Sequence, residues 1–94
     1  MPMFIILGRF TDEGVKDVPG WVAAFEQNRA RGDALGLKLH DMYLTQGQYD
    51  YVVIVEAPDA ESMLKQTFGV AGTGRGRSET LRAYTIDEVR GLLA

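Results

Sequence analysis

The sequence of 94 residues contains no cysteine, and this absence removes a whole class of sites. Without a thiol there is no disulfide, no thiolate metal ligand and no cysteine nucleophile. The single histidine, His40, has no second nitrogen ligand at a metal-binding spacing, so the sequence indicates neither a zinc site nor a haem site. We therefore expect no metal and no cofactor, and the lack of cysteine fits a reducing cytoplasm.

Long hydrophobic runs and an excess of basic residues are also missing. The apolar run at residues 3–7 is too short to span a bilayer, and Pro2 before it is not the basic flank of a signal peptide. Ten basic and 13 acidic residues give a net charge of −3, which argues against a broad nucleic-acid or anionic-lipid surface. We expect a cytoplasmic protein without a nucleic-acid or membrane partner.

The composition that remains is that of an ordinary folded chain. Hydrophobic residues make up 46% and charged residues 24%, far from the pattern of disordered proteins. A chain of this length forms one domain with one modest core. We therefore treat residues 1–94 as a single domain whose core is either economical or shared with another subunit.

Four segments have the alternation or apolar density of β-strands: 3–10, 37–45, 49–55 and 78–84. The first and third are apolar on both faces, whereas the second and fourth carry most of the charged side chains. Residues 46–48, with Gly47, connect the second and third strands as a short hairpin.

Two longer segments have helical periodicity, and a third, shorter one follows the last strand. The first begins at Pro19, ends before Gly36 and carries an apolar stripe of Trp21, Val22, Phe25, Asn28, Gly32 and Leu35. The second has Asp59 as its N-cap and a stripe of Ala60, Met63, Leu64, Phe68 and Ala71. A capping box at residues 85–88 predicts the short C-terminal helix.

Two glycine-containing segments are predicted to be irregular. Residues 11–14 have the composition of a loop, and residues 72–77 form a flexible turn rich in glycine and arginine. Glycine backbones with arginines can hold a phosphate, but this turn lacks the phosphate-loop signature and leads from a helix to a strand, the reverse of the usual order.

The predicted order βαββαβ is that of the ferredoxin-like fold, in the α+β class. Right-handed crossovers give a four-stranded antiparallel sheet in the order 4-1-3-2, with the two doubly apolar strands in the middle. Two helices cover one face of such a sheet. The other face, with some of Ile5, Leu7, Tyr51, Val53 and Val55, is then left in water, so we predict a homodimer at least, with the sheets packed face to face.

Several segments, in order and spacing, resemble the GYD-domain family, named for a glycine, a tyrosine and an aspartate. The strongest is residues 43–50 (YLTQGQYD) with 53–58 (VIVEAP), supported by residues 4–8, 11–16 and 78–84. The resemblance covers residues 3 to about 88 and implies a dimeric α/β barrel whose family has no common assigned function. The wider superfamily contains cofactor-independent monooxygenases, isomerases, haem enzymes and ligand-binding regulatory domains, so fold alone does not select an activity.

Two residues are candidate catalytic groups. Asp50 stands before an apolar strand, where burial beside tyrosines makes it a general acid or base; alternatively, it accepts backbone N–H groups of the neighbouring turn. His40 is the natural proton shuttle near neutral pH, but its place on an edge strand also predicts a solvated side chain.

A second group of residues is a candidate ligand-binding set: Tyr43, Tyr49, Asp50, Trp21 and Asn28. The aromatic members either line a pocket for a small molecule or belong to a core or interface. Asn28 lies on an apolar stripe, so it either bonds a backbone carbonyl or points into a cavity. Two functions remain open: a small-molecule-binding or assembly module, and a cofactor-independent enzyme acting on an aromatic or lactone substrate.

Overall fold

The computed structural model describes all of residues 1–94. Its elements, in chain order, are β1 (Met3–Phe10), α1 (Asp12–Lys16), α2 (Val18–Ala34), β2 (Lys38–Leu44), β3 (Tyr51–Glu56), α3 (Ala60–Ala71), β4 (Gly76–Ala83) and α4 (Ile86–Leu93). The predicted βαββαβ order with a C-terminal helix is confirmed, and α1 is an addition to it.

The four strands form one antiparallel sheet in the order β2-β3-β1-β4. This is the predicted order, with the doubly apolar strands β1 and β3 in the centre and the more polar strands β2 and β4 at the edges. A β-bulge between Leu39 and Asp41 interrupts the pairing of β2 with β3 at His40. The ferredoxin-like fold is therefore established.

Side-chain caps fix where the helices begin. Asp17 accepts the backbone N–H of Gly20 (3.0 Å) at the start of α2, and Asp59 accepts that of Ser62 (2.7 Å) at the start of α3. Gly36, with φ of +80°, follows the end of α2 as predicted, since this conformation favours glycine. The capping box of Thr85 and Glu88 is also formed, at the start of α4.

The prediction of a loop at residues 11–14 was wrong. Thr11 caps the short helix α1 by accepting the N–H of Gly14 (3.0 Å). A side chain at Gly14 would lie 2.0 Å from the carbonyl oxygen of Arg75, so glycine is needed there for close packing as well. A composition typical of a loop therefore marks a capped helical turn that packs on the glycine-arginine segment.

The helices α2 and α3 cover one face of the sheet, which we call the closed face. Its core contains Phe4, Leu37, Val55, Ala57 and Met63, next to a second cluster of Trp21, Tyr51 and Val53. The sequence had placed Tyr51, Val53 and Val55 among candidates for the uncovered face, and this was wrong. Both faces of β3 are apolar, so alternation alone cannot tell which set lies under the helices.

The uncovered side of the sheet, which we call the open face, carries the alternate residues of the same strands. Ile5, Leu7, Val52 and Ile54 are half-buried there by their neighbours within the sheet. At the end of the chain, α4 has no buried residue. None of the four helices combines the length and the apolar character needed to cross a membrane.

Candidate functional site

A small cavity lies between the closed face and the helices α2 and α3. Seven of its nine lining residues are hydrophobic, and the lining includes Trp21, Asn28, Tyr51 and Gln66. Its volume is about 70 Å³, well below the roughly 300 Å³ at which ligand pockets begin. The cavity of a single chain therefore has room for only a few non-hydrogen atoms.

Two polar side chains, Asn28 and Gln66, meet in the wall of this cavity. The Nε2 of Gln66 donates to the backbone oxygen of Asn28 (2.9 Å), while its Oε1 is buried without a partner. The Oδ1 of Asn28 accepts from Arg31 at 3.4 Å. Asn28 thus lines a cavity, the second of the two predicted positions, and its side chain is held by its own helix.

Three aromatic rings pack together beside the cavity. The ring centroid of Trp21 lies 5.2 Å from that of Phe10 and 4.8 Å from that of Tyr51. The Tyr51 ring crosses the backbone of Gly8, where an added Cβ would lie 2.0 Å from the ring, and its hydroxyl reaches Gly76. Two glycines on neighbouring strands therefore form the groove that accepts this tyrosine.

The hydroxyl of Tyr51 is buried without a hydrogen-bond partner. Burial raises the pKa of this phenol above its ordinary value of 10.0, and the nearby charge of Asp50 raises it further. Tyr51 is only 3% exposed and lies in the core. It is thus a neutral packing group over the whole physiological pH range.

Asp50 joins three strands at the end of the sheet. Its Oδ2 accepts the backbone N–H of Phe10 (2.7 Å), its own N–H donates to the oxygen of Gly8, and its oxygen accepts the N–H of Thr45 (both 2.8 Å). The carboxylate therefore bonds to a backbone amide, but of β1 and not of the neighbouring turn. Because β1 ends at Phe10, Asp50 satisfies the last amide of that strand.

His40 lies at the bulge of β2, and its Nε2 is 2.7 Å from Oε1 of Glu56 on β3. This hydrogen bond lowers the pKa of Glu56 below its ordinary value of 4.5, helped by the charge of His40. Neither residue lines a cavity. The pair sits at the edge of the open face. Glu56 is the last residue of β3, so the pair and Asp50 lie at opposite ends of that strand.

Tyr49 lies at the other end of the open face. Its hydroxyl donates to Oε2 of Glu79 (3.1 Å), and the guanidinium of Arg9 lies 5.2 Å from the ring centroid. The hydrogen bond to Glu79, with the charge of that carboxylate, raises the pKa of Tyr49. These residues border a shallow depression together with Arg77, which is paired across the strands with Arg9.

Between these two ends the centre of the open face is apolar, and its rows end at Asp41 beside Ile54 and at Glu79 beside Leu7. Cross-strand pairs link Leu81 to Ile5 and Ile5 to Ile54 in one row, and Leu7 to Val52 and Val52 to Tyr43 in the next. Tyr43 is 54% exposed. The open face is therefore an uncovered apolar surface and not a pocket.

A family model for the GYD domain matches residues 4–93. The chain belongs to the GYD-domain family. It is also 29% identical over 92 residues, 95% of each chain, to a protein of Thermus thermophilus named glutamine synthetase and cystathionine beta-lyase binding protein. No solved structure matches the chain significantly.

In this GYD domain Gly47 shapes the turn of the β2-β3 hairpin, and Tyr49 and Asp50 hold the hairpin to the rest of the sheet. Gly47 has φ of +121° in the turn, a conformation that side chains rarely adopt. Tyr49 reaches Glu79 of β4 with its hydroxyl, and Asp50 reaches Phe10 of β1 with its carboxylate. Tyr49 and Asp50 therefore have a structural role: they connect the hairpin to the edge strand β4 and to the central strand β1.

The structure does not bring the predicted site residues of the GYD domain into one site. Trp21 and Asn28 line the cavity, His40, Tyr43 and Tyr49 lie on the open side of the sheet, and Asp50 is at a strand junction. Gly8, Gly76 and Gln66 were not singled out from the sequence. The sequence did carry a signal for the two glycines. Gly8 lies inside a predicted strand and Gly76 just before one, and a glycine at such a position indicates close approach of another group.

Proposed function

We propose that this GYD domain is a non-catalytic assembly module, which forms a homodimer through its open sheet face and in that form binds an enzyme. The observation that carries the proposal is the continuous apolar row of Leu81, Ile5 and Ile54 with Leu7 and Val52 beside it. Contiguous apolar patches of this kind on a folded chain mark interaction sites.

A second copy of the same chain is the simplest occupant of the open face. A two-fold axis lets one apolar patch pack on an identical patch, so no second surface is needed. Fully burying an aliphatic side chain is worth roughly 1.5–3 kcal/mol. Because four of these side chains are already half-buried within the sheet and Leu81 is 39% exposed, each contributes about half of that, and five from each chain still give a substantial driving force.

The relative from Thermus thermophilus supports the second part of the proposal, since it is named for binding two enzymes. The two chains align over 95% of their lengths, so the similarity extends over the whole domain. We therefore propose an enzyme as the partner of the dimer, with glutamine synthetase and cystathionine beta-lyase as the first two candidates.

The alternative of a cofactor-independent enzyme has less support from the geometry. Asp50 is bonded to Phe10 at one end of β3 and His40 to Glu56 at the other, so the two proton-transfer candidates do not face a common substrate. The cavity beside Trp21 is small and almost entirely apolar. A small-molecule ligand in this cavity is likewise less supported than a protein on the open face.

Sedimentation velocity at micromolar concentration tests the homodimer, with Ile54→Asp as the variant. The substitution places a carboxylate in the centre of the open face, where burial of a charge is costly, so we expect a dimer for the parent chain and a monomer for the variant. Glu26→Asp, an exposed change on α2, is the control and should remain dimeric. A monomeric parent chain contradicts the proposal.

Biolayer interferometry tests the enzyme partner separately. The domain is immobilised and exposed to purified glutamine synthetase and to purified cystathionine beta-lyase, with serum albumin as a control protein. We expect saturable binding of at least one enzyme by the parent chain and weaker binding by Ile54→Asp, because that variant cannot assemble. If neither enzyme binds, the proposed enzyme partner is contradicted. The homodimer is then tested by sedimentation alone.

A further inference from the structure

The C-terminal helix α4 has an apolar stripe of which no member is buried. Ile86, Leu92 and Leu93 are 68%, 73% and 82% exposed, and together with Val89 they follow helical spacing. The capping box at Thr85 and the ion pair of Asp87 with Arg90 both lie within the helix and its cap. Isolated helices shorter than about 12 residues are marginal in water, so this helix of eight residues requires a surface to dock on.

The same chain has an unfilled apolar groove between α2 and the edge strand β2. It is lined by Trp21, Val22, Phe25, Met42 and Leu44, all of them hydrophobic, and has a volume of about 200 Å³. Val22 and Leu44 are 50% and 52% exposed at its mouth. The groove is therefore wide enough for two or three aliphatic side chains.

Within one chain, α4 does not reach this groove. It follows β4, which is separated from β2 by three strand spacings, roughly 14 Å. The register places Ala83 level with Met3, Glu56 and Lys38, while Leu44 lies at the other end of β2. Residues 84 and 85 allow a span of at most roughly 10 Å, which is shorter than the distance across the sheet from Ala83 to Leu44.

A second copy removes this obstacle. When two open faces pack about a two-fold axis parallel to the strands, β4 of each chain lies beside β2 of the other, and the two exposed edges are brought together. The start of α4 is then next to the partner's β2. Eight helical residues extend roughly 12 Å, enough to follow that strand toward the groove.

We propose that α4 docks on the second copy of this chain, with its apolar stripe against the edge of β2 and the groove at Val22 and Leu44. The inference rests on the proposed homodimer through the open face. It adds that the two-fold axis runs parallel to the strands and that each chain places its α4 on the other chain. The interface area supports it. Four strands of about six residues cover a flat area of only roughly 400 Å², and two exchanged helices add accessible surface toward the roughly 800 Å² per partner of a stable interface.

Because the chain has no cysteine, engineered disulfides test this arrangement without background. The variant Val22→Cys with Leu92→Cys pairs the groove with the apolar side of α4, and Val22→Cys with Asp87→Cys is the matched control on its polar side. A disulfide requires Cα atoms within about 7 Å of each other. After mild oxidation we expect a covalent dimer for the first variant on a non-reducing gel, and little for the control or for the single-cysteine chains.

Removal of residues 85–94 tests the same contact by affinity. The loss of four apolar side chains from each chain is expected to raise the dimer Kd roughly a hundredfold, measured by sedimentation. An unchanged Kd, or a first cysteine variant that links no faster than its control, overturns the role of α4. If the parent chain is nevertheless a dimer that Ile54→Asp disrupts, the proposed function survives this result.

Discussion

The two faces of the sheet are built from the same strands, yet the structure treats them differently. Along β3, Tyr51, Val53 and Val55 are buried under helices, while Val52 and Ile54 between them have only their neighbours in the sheet. Hydrophobicity is similar on both sides, so the difference comes from the number of helices. Two long helices cover one face, and the second apolar face is left uncovered.

The closed face also shows finer fitting than the open one. The Tyr51 ring lies across Gly8 and ends at Gly76, so the backbone of the two strands β1 and β4 is shaped around one side chain. The open face has no comparable feature, and its residues form simple cross-strand rows. Substitutions on the closed face should therefore change the stability of the folded chain, while those on the open face should change association.

The largest effect is expected for Gly8→Ala on the closed face. The added Cβ would lie 2.0–2.5 Å from three atoms of the Tyr51 ring, and overpacking of this severity should lower the free energy of unfolding by about 3 kcal/mol. Chemical denaturation measures this change. Gly91→Ala, in α4 with open space around it, is the control and should be neutral or slightly stabilising. A fully stable Gly8→Ala variant would disprove the fitted groove.

Adjacent valines on β3 give the most direct comparison of the two faces. Val53→Ala removes buried methyl groups from the closed face and should cost about 2 kcal/mol at any protein concentration. Val52→Ala, on the open face, should cost less than about 1 kcal/mol in dilute solution and more when the chain is associated. Unfolding curves at two protein concentrations distinguish them. Equal, concentration-independent losses would contradict the distinction.

Asp50 tests the junction at which β1 ends. Asp50→Ala leaves the N–H of Phe10 without its acceptor, a loss of roughly 1–2 kcal/mol, whereas Asp50→Asn retains a side-chain oxygen and should lose less. Denaturation of the two variants provides the comparison. If both variants are as stable as the parent chain, the carboxylate is not needed for the strand junction, and its role as an acid or base regains interest.

Tyr51→Phe removes a buried hydroxyl that has no partner, so we expect a change of less than about 1 kcal/mol, in the stabilising direction. The pKa of Tyr51 is raised by folding, so its contribution is complete below pH 10.0 and is lost as the pH rises through the folded pKa. The phenylalanine variant should therefore retain more of its stability above pH 10. A steeper alkaline loss in the variant would disagree with this prediction.

The smallest effect is expected for Glu56→Gln, at the solvated end of the open face. The pKa of Glu56 is lowered by His40, so its contribution is present above the ordinary value of 4.5 and is lost as the pH falls through the folded pKa. Stability measured at pH 7 and pH 3 should differ less in the variant than in the parent chain. Glu26→Gln on α2 is the control and should keep the full difference.

The fold was largely predictable because local and global patterns agree. The doubly apolar strands β1 and β3 and the polar strands β2 and β4 already define centre and edges, and Asp59 and Thr85 mark helix starts. The choice of face was not predictable. Tyr51 belongs to the closed face because Gly8 and Gly76 leave room for its ring there, and those three residues come together only in the folded sheet.

The candidate site was less predictable than the fold. The sequence singled out Asp50 as a candidate acid or base or as an acceptor of turn amides, but its actual donor, Phe10, is 40 residues away in the chain. His40 was expected in solvent, and its contact with Glu56 depends on the bulge in β2, for which the sequence carries no clear signal. Pairings between distant strands therefore decide what each polar group does.

The mass of the parent chain in solution tests the central claim, that the open face is an interface. Sedimentation equilibrium or light scattering at micromolar concentration should give at least about twice the chain mass of 10.4 kDa, with the Ile54→Asp variant at the mass of one chain. A parent chain that remains at 10.4 kDa under these conditions would contradict the account.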